Sequence, residues 1–304
     1  MNILGKRYIF FGLSLFIIIS GLICLYIAGT PLSIDFTGGS LLELKFANAT
    51  PQPAEIIAVY EAANIGDAQV QTTGSGTYDI RSEFLDNDQR AVVLAALNEK
   101  FGESEVIRFD SVGPSIGQQV TSRGALAIAI ASILVVLFIA WSFRGVENAF
   151  RYGICAIIAM LHDVLIIFAF TGFGALLLGW QIDSLFLTAL LTVIGFSMQD
   201  TIVVFDRIRE NSSIYRRLDY ETLVNHSIVQ TLQRSINTQL MTVEFLLLSL
   251  ILLGGITLQE FAAILLIGRL SGTYSSIFIA APTLVVWEKR EWRTWFKRSG
   301  QAQA

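Results

Sequence analysis

The chain has 304 residues, 53% of them hydrophobic and only 15% charged, where an ordinary soluble domain carries roughly 25% charged residues. With a mean hydropathy of +0.60, a single water-soluble globule is excluded and several membrane spans are required. The net charge of −4 hides opposite charge on the two sides of the apolar stretches, and nothing in it points to nucleic acid.

In chain order, the first apolar run is Tyr8–Ala28, preceded by Lys6 and Arg7. Its flank is that of a signal peptide, but the run is long and Tyr26-Ile27-Ala28 is a poor small-x-small cleavage site, so it reads as an uncleaved anchor. From Thr30 to Ser122 there are thirteen acids against five bases, which marks this segment for export under the positive-inside rule. Within it, strands are predicted at Leu41–Phe46, Ala68–Thr73, Thr77–Ser82 and Glu105–Val112. Helices are predicted at Pro53–Ala63 and Asp86–Phe101, and a turn at Gly74-Ser75-Gly76. The order βαββαβ is that of a ferredoxin-like α+β domain. It contains no Cys/His cluster, no Ser-His-Asp set and no phosphate loop, so no enzyme, metal or cofactor is expected.

Five further runs, near Gly124–Phe143, Ala149–Phe170, Asp183–Phe205, Ile236–Gly254 and Phe261–Trp287, approach or exceed the roughly 20 residues that cross a bilayer core. The expected fold is therefore a six-helix membrane protein with an α+β domain inserted between helices one and two. Its parts are residues 1–29, the exported domain 30–122, a five-helix bundle 123–288 and a basic tail 289–304. Arg144, Arg151, Arg207, Arg209, Arg216 and Arg217 in the short loops, and Lys289 and Arg290 after the last span, place both termini in the cytoplasm. Cys24 and Cys155 lie inside spans and support no disulfide framework.

The fourth span contains Asp200. An ionised acid in hydrocarbon costs several kcal/mol, so a span that keeps one points to proton or ion traffic, with a structural ion pair as the competing reading. Ser197, Asp200 and Thr201 stand at i, i+3 and i+4 and form one polar face. His162 and Asp163 in the third span mark another interior face, by interhelical hydrogen bonding or by proton relay. Arg234, Asn237, Thr238, Met241 and Thr242 share a face whose polar members form a natural partner for Asp200; Arg234 could equally be a topology anchor. Gly268, Gly272 and Ser276 repeat at four-residue spacing, a seam for close helix packing, which is expected to serve assembly with a partner.

A resemblance adds to this reading. Asp35-Phe36-Thr37-Gly38-Gly39, Val112-Gly113-Pro114, His162-Asp163-Val164, the stretch from Gln199 through Asp200 to Asn211, and Gly272-Thr273-Tyr274-Ser275-Ser276-Ile277-Phe278 follow one another as they do in the SecF branch of the SecD/SecF family. That family resembles half of an RND-type transporter and assists bacterial protein export. The resemblance implies an auxiliary subunit that works with SecD and the SecY/SecE/SecG channel, with YajC as a further partner. Its client would be an unfolded exported polypeptide, and it would sit in the cytoplasmic membrane and use the proton-motive force. It implies proton coupling at Asp200 and Arg234, and a structural role for the Asp35–Gly39 turn and for Gly272, Tyr274 and Ser275. Arg269, Glu244 and Gln199 depart from the family pattern, and Glu244 with Arg269 could form a compensating pair. An RND-like exporter of small molecules or lipids is the alternative, but one inserted domain of about 90 residues is thin for a ligand cavity of several hundred Å³.

Overall fold

The computed structural model describes residues 3–29, 31–72, 76–144, 149–239, 245–253 and 256–291. It divides into two compact units, Leu32–Leu126 and the remainder.

In the first unit, four strands, β1 (Gly39–Phe46), β2 (Gln69–Thr72), β3 (Tyr78–Ser82) and β4 (Ser104–Val112), form one antiparallel sheet in the order β2-β3-β1-β4. Alternation along β1 sends Leu42, Leu44 and Phe46 inward. They meet Ile56 and Tyr60 and Val93 and Leu97, from the two helices that follow β1 and β3. Those helices start where the sequence supplies caps. Asp86 Oδ1 accepts from Gln89 N at 2.7 Å while Gln89 Oε1 accepts from Asp86 N at 3.1 Å, a reciprocal box that satisfies two otherwise orphaned donors. The turn expected at Gly74-Ser75-Gly76 falls largely outside the described residues.

The Asp35–Gly39 segment forms an element that periodicity did not predict, a one-turn helix over Ile34–Thr37 whose start Ser33 caps through Asp35 N at 3.2 Å. Gly38 and Gly39 have φ of +73° and +121°, a region that favours glycine. A Cβ on Gly38 would also stand 2.9 Å from Pro114 Cα. The turn thus packs its backbone directly on the start of the next long helix.

In the second unit the helices, counted along the whole chain, are α1 (Arg7–Ala28), α5 (Pro114–Ser142, entering from the first unit), α6 (Ala149–Leu178), α7 (Ser184–Ile214), α8 (Tyr220–Gln239), α9 (Phe245–Leu253), α10 (Ile256–Ser275) and α11 (Ala281–Glu288). The intervening α2, α3 and α4 are Ile34–Thr37, Pro53–Ala62 and Asn87–Phe101. Among the described residues five segments are long and apolar enough to cross a membrane: Leu4–Ala28, Pro114–Ser142, Ala149–Leu178, Ser184–Ile214 and Leu258–Glu288. The predicted span at Ile236–Gly254 falls partly on residues 240–244, outside the described set. The nine residues of α9 alone rise only about 13 Å, short of a hydrocarbon core.

α6, α7 and α10 form the inside of the bundle, with Ala156, Ala159, Ala189, Val193, Val204 and Phe205 buried among them. α1 lies along α6 where Gly21 meets Ala169, and a Cβ on Gly172 would come 2.8 Å from Leu25 N. Small residues here permit the close backbone approach that holds helices together where lipid removes any hydrophobic drive. The outer faces of α1 and α5 expose Leu15, Phe16, Ile133 and Leu137, as lipid-facing surfaces do.

Candidate site within the helix bundle

Among the described residues the most enclosed carboxylate is Asp163, 1% exposed at the centre of α6. Each of its oxygens accepts twice. Oδ1 takes hydrogen bonds from His162 Nδ1 at 3.0 Å and Ser271 Oγ at 2.6 Å. Oδ2 takes them from Ser275 Oγ at 2.6 Å and from Ser197 Oγ. An ionised carboxylate is acceptor-only, with about four lone-pair sites, so this shell is filled and ties α6 to both α7 and α10. His162 Nε2 is buried without a hydrogen-bond partner among the described residues. The ring stacks on Tyr274 with centroids 5.9 Å apart. Tyr274 in turn donates to Phe10 O and accepts from Ser14 Oγ, both at 3.1 Å, and so anchors α1.

Asp200, less than one turn beyond Ser197 on α7, is only half-buried. Its Oδ2 accepts from Gln239 Nε2 at 2.6 Å and from Thr273 Oγ1 at 3.1 Å. Gln239, at the end of α8, is itself buried, and its Oε1 accepts from Arg269 Nη2 at 2.5 Å. Arg269 is 5% exposed and lies with its guanidinium carbon 4.0 Å from the centroid of the Phe196 ring, a cation–π placement.

α10 carries both sites because of its sequence spacing. Arg269 and Thr273 share the face toward Asp200, and Ser271 and Ser275 share the face toward Asp163, each pair at i, i+4. A third row, Gly268, Gly272 and Ser276, runs along Val193, Ser197 and Thr201 of α7. A Cβ on Gly268 would overlap Val193, one on Gly272 would stand 3.2 Å from Ser197 Cα, and Ser276 Oγ and Thr201 Oγ1 lie 2.9 Å apart. After this row the helix widens into one π turn, Ser276–Ala280. Pro282 follows in α11; proline has no N–H for the α-helical ladder, and a π turn is one way to accommodate the break.

Two family profiles match the chain: "Protein export membrane protein SecD/SecF, C-terminal" over residues 92–290 and "SecD/SecF GG Motif" over residues 25–50. The chain belongs to the SecD/SecF family. Among its relatives, Protein translocase subunit SecF of Anaerolinea thermophila is 63% identical, with 99% of this chain and 98% of the relative covered. The protein of the same name from Thermobaculum terrenum is 44% identical, covering 98% of each. The crystal structure of SecDF, a translocon-associated membrane protein from Thermus thermophilus, superposes with a TM-score of 0.80 at 30% identity. That superposition covers 95% of this chain but 39% of the SecDF chain, so this chain spans about two fifths of that structure.

Within this SecD/SecF-family bundle the site residues expected from sequence are distributed unevenly. Ser197, Thr201, His162, Asp163, Gly272, Tyr274 and Ser275 converge, while Asp35, Phe36, Thr37, Gly38 and Gly39 belong to the other unit. The stripe of Arg234, Asn237 and Thr238 is exposed on α8, and Thr242 lies outside the described residues. The face α8 turns inward is instead Ser227, Thr231, Ser235 and Gln239. Two polar stripes at four-residue spacing compete on this helix. The small hydroxyls of the second pack close to a neighbour, whereas the Arg234 guanidinium keeps its solvation on the outside. The Gly268/Gly272/Ser276 seam also differs from expectation, since it packs α10 on α7 within the chain rather than standing open for a partner. Gln239, Ser271 and Thr273 were missed. Thr273 lay within the quoted Gly272–Phe278 stretch and Gln239 and Ser271 showed only i, i+4 spacing to other polar residues, and a lone Gln, Ser or Thr carries little weight by itself.

Proposed function

We propose that this chain is an auxiliary subunit of the Sec protein translocase that works with SecD beside the SecY/SecE/SecG channel and uses the proton-motive force to help exported polypeptides across the cytoplasmic membrane. The observation that carries the reading is Asp200, a half-buried membrane carboxylate held, among the described residues, by two donors. Such an acid can exchange a proton, and a proton moved through 100 mV supplies about 2.3 kcal/mol to bias a two-state element. Arg234, Asn237 and Thr238 face outward from α8, where a SecD-type half would meet them. The six-span count, the cytoplasmic termini and the export of residues 30–122 rest on hydropathy and charge. The sheet order β2-β3-β1-β4 with two helices supports a ferredoxin-like exported domain, and no catalytic role is assigned to it.

The test is export of a slow precursor into inverted vesicles with and without a proton gradient. Asp200→Asn keeps shape and hydrogen bonding but cannot ionise. It is expected to abolish gradient-dependent stimulation at normal protein level and normal SecD association; full stimulation would return Asp200 to a structural role.

A further inference from the structure

Arg269 and Gln239 have no part in the coupling just described, yet they build the contact nearest to Asp200. A buried guanidinium inside a membrane helix is costly and marks a functional contact by default. Here it reaches the carboxylate only through an amide. Gln239 Nε2 donates to Asp200 Oδ2 at 2.6 Å and Gln239 Oε1 accepts from Arg269 Nη2 at 2.5 Å. The orientation of that amide is fixed by chemistry, because a guanidinium has no acceptor and a carboxylate no donor.

We infer that Gln239 is a positioning residue for proton exchange at Asp200, a bridge that Arg269 holds in the orientation suited to the ionised acid. When a proton binds Oδ2, the new O–H needs an acceptor. Presenting the oxygen of Gln239 to it would turn the NH₂ toward Arg269, donor against donor, so the bridge as built favours the ionised acid. Thr273 Oγ1, whose 3.1 Å bond to Oδ2 approaches from α10, stays compatible with either state because a hydroxyl both donates and accepts. Among the described residues, Asp163 and His162 of α6 bond to Ser197, Ser271 and Ser275, Tyr274 bonds to α1, and Arg234 is exposed on α8; Arg269 also has contacts beyond Gln239 and Phe196. The inference rests on the proton-coupling reading of Asp200 and adds which residues hold the acid ready for that exchange.

The test uses the full chain and dicyclohexylcarbodiimide, which enters apolar sites and modifies neutral carboxyls. Labelling at Asp200 is mapped by peptide mass spectrometry at pH 7. Gln239→Leu and Arg269→Met are each expected to raise its rate about fivefold or more, the factor that loss of a hydrogen bond to a charged group carries. Arg269→Lys, which still donates to the amide oxygen, should stay near the original rate. In the Gln239→Leu background Arg269→Met should add nothing, since the bridge is already gone. Unchanged labelling in the single variants, multiplied effects in the double variant, or an equal rise at Asp163 from general loosening would each overturn the bridge. Because no export is scored, this result stands or falls separately from the Asp200→Asn export test.

Discussion

Asp163 and Asp200 lie on adjacent inner helices, and the same helix α10 serves both, yet they are built in opposite ways. Asp163 is enclosed, with four donors from three helices. Asp200 is half-buried and, among the described residues, has two donors on one oxygen. A filled hydrogen-bond shell leaves nowhere for an added proton without expelling a donor, so it makes a carboxylate a fixed anchor. An unfilled shell with access from one side leaves the acid free to change state. On the proposed reading of Asp200, burial alone therefore does not identify the proton-carrying acid; the count and origin of its donors do.

The contrast breaks first at Asp163. Asp163→Leu leaves three hydroxyls and an imidazole facing apolar carbon and is expected to cost about 3–5 kcal/mol. Chemical unfolding of the purified chain in detergent should show it, with Asp163→Asn intermediate. A loss no larger than that of Asp200→Leu would end the distinction between anchor and exchange site.

Next in size is the seam that sets the distance between α7 and α10. Gly268→Leu drives a side chain into Val193 and is expected to destabilise the chain by about 3 kcal/mol, read as unfolding in the absence of any partner. If the isolated chain were unaffected and only SecD retention fell, the seam would belong to the subunit interface after all.

Asp200→Asn should change unfolding of the same chain by less than about 1 kcal/mol, because the amide keeps an oxygen to accept from Gln239 or Thr273. A larger loss would make Asp200 an anchor like Asp163.

The smallest effect is expected outside the bundle, where a crowded acid pair gives a reference. Glu43 and Asp79 are directly opposite on β1 and β3. The Glu43 carboxyl is pushed up by burial and then by the Asp79 charge, against Arg108; Asp79 is pushed up by burial, against Arg81 and Arg108. Folded values above unfolded ones mean that the sheet gains stability from these protons at acid pH and loses it as pH rises through the folded values. Asp79→Asn is therefore expected to raise hydrogen-exchange protection of β1 and β3 at pH 7 slightly, by about 0.5 kcal/mol or less, and to flatten its pH dependence. A decrease would show that the attraction to Arg81 and Arg108 outweighs the burial cost.

The sequence by itself determined the periodic features. Apolar runs of near-bilayer length located five long helices because lipid leaves a spanning backbone no other way to satisfy its hydrogen bonds. Alternation and caps gave the four strands and two long helices of the inserted unit to within two residues at each end, and Gly38-Gly39 gave the turn that only glycine makes easily. Asp200 was legible because a charge in hydrocarbon is conspicuous wherever it points. Tertiary structure alone decided which polar stripe of each helix turns inward. On α8 the stripe of Arg234 and the stripe of Gln239 have the same periodicity, and only the fit of small hydroxyls against a neighbouring helix distinguishes them. The four donors of Asp163 come from residues as far as 112 positions away. No local pattern encodes such a shell, because the rotation of α10 that assembles it is set by the contact of Gly268 and Gly272 with α7.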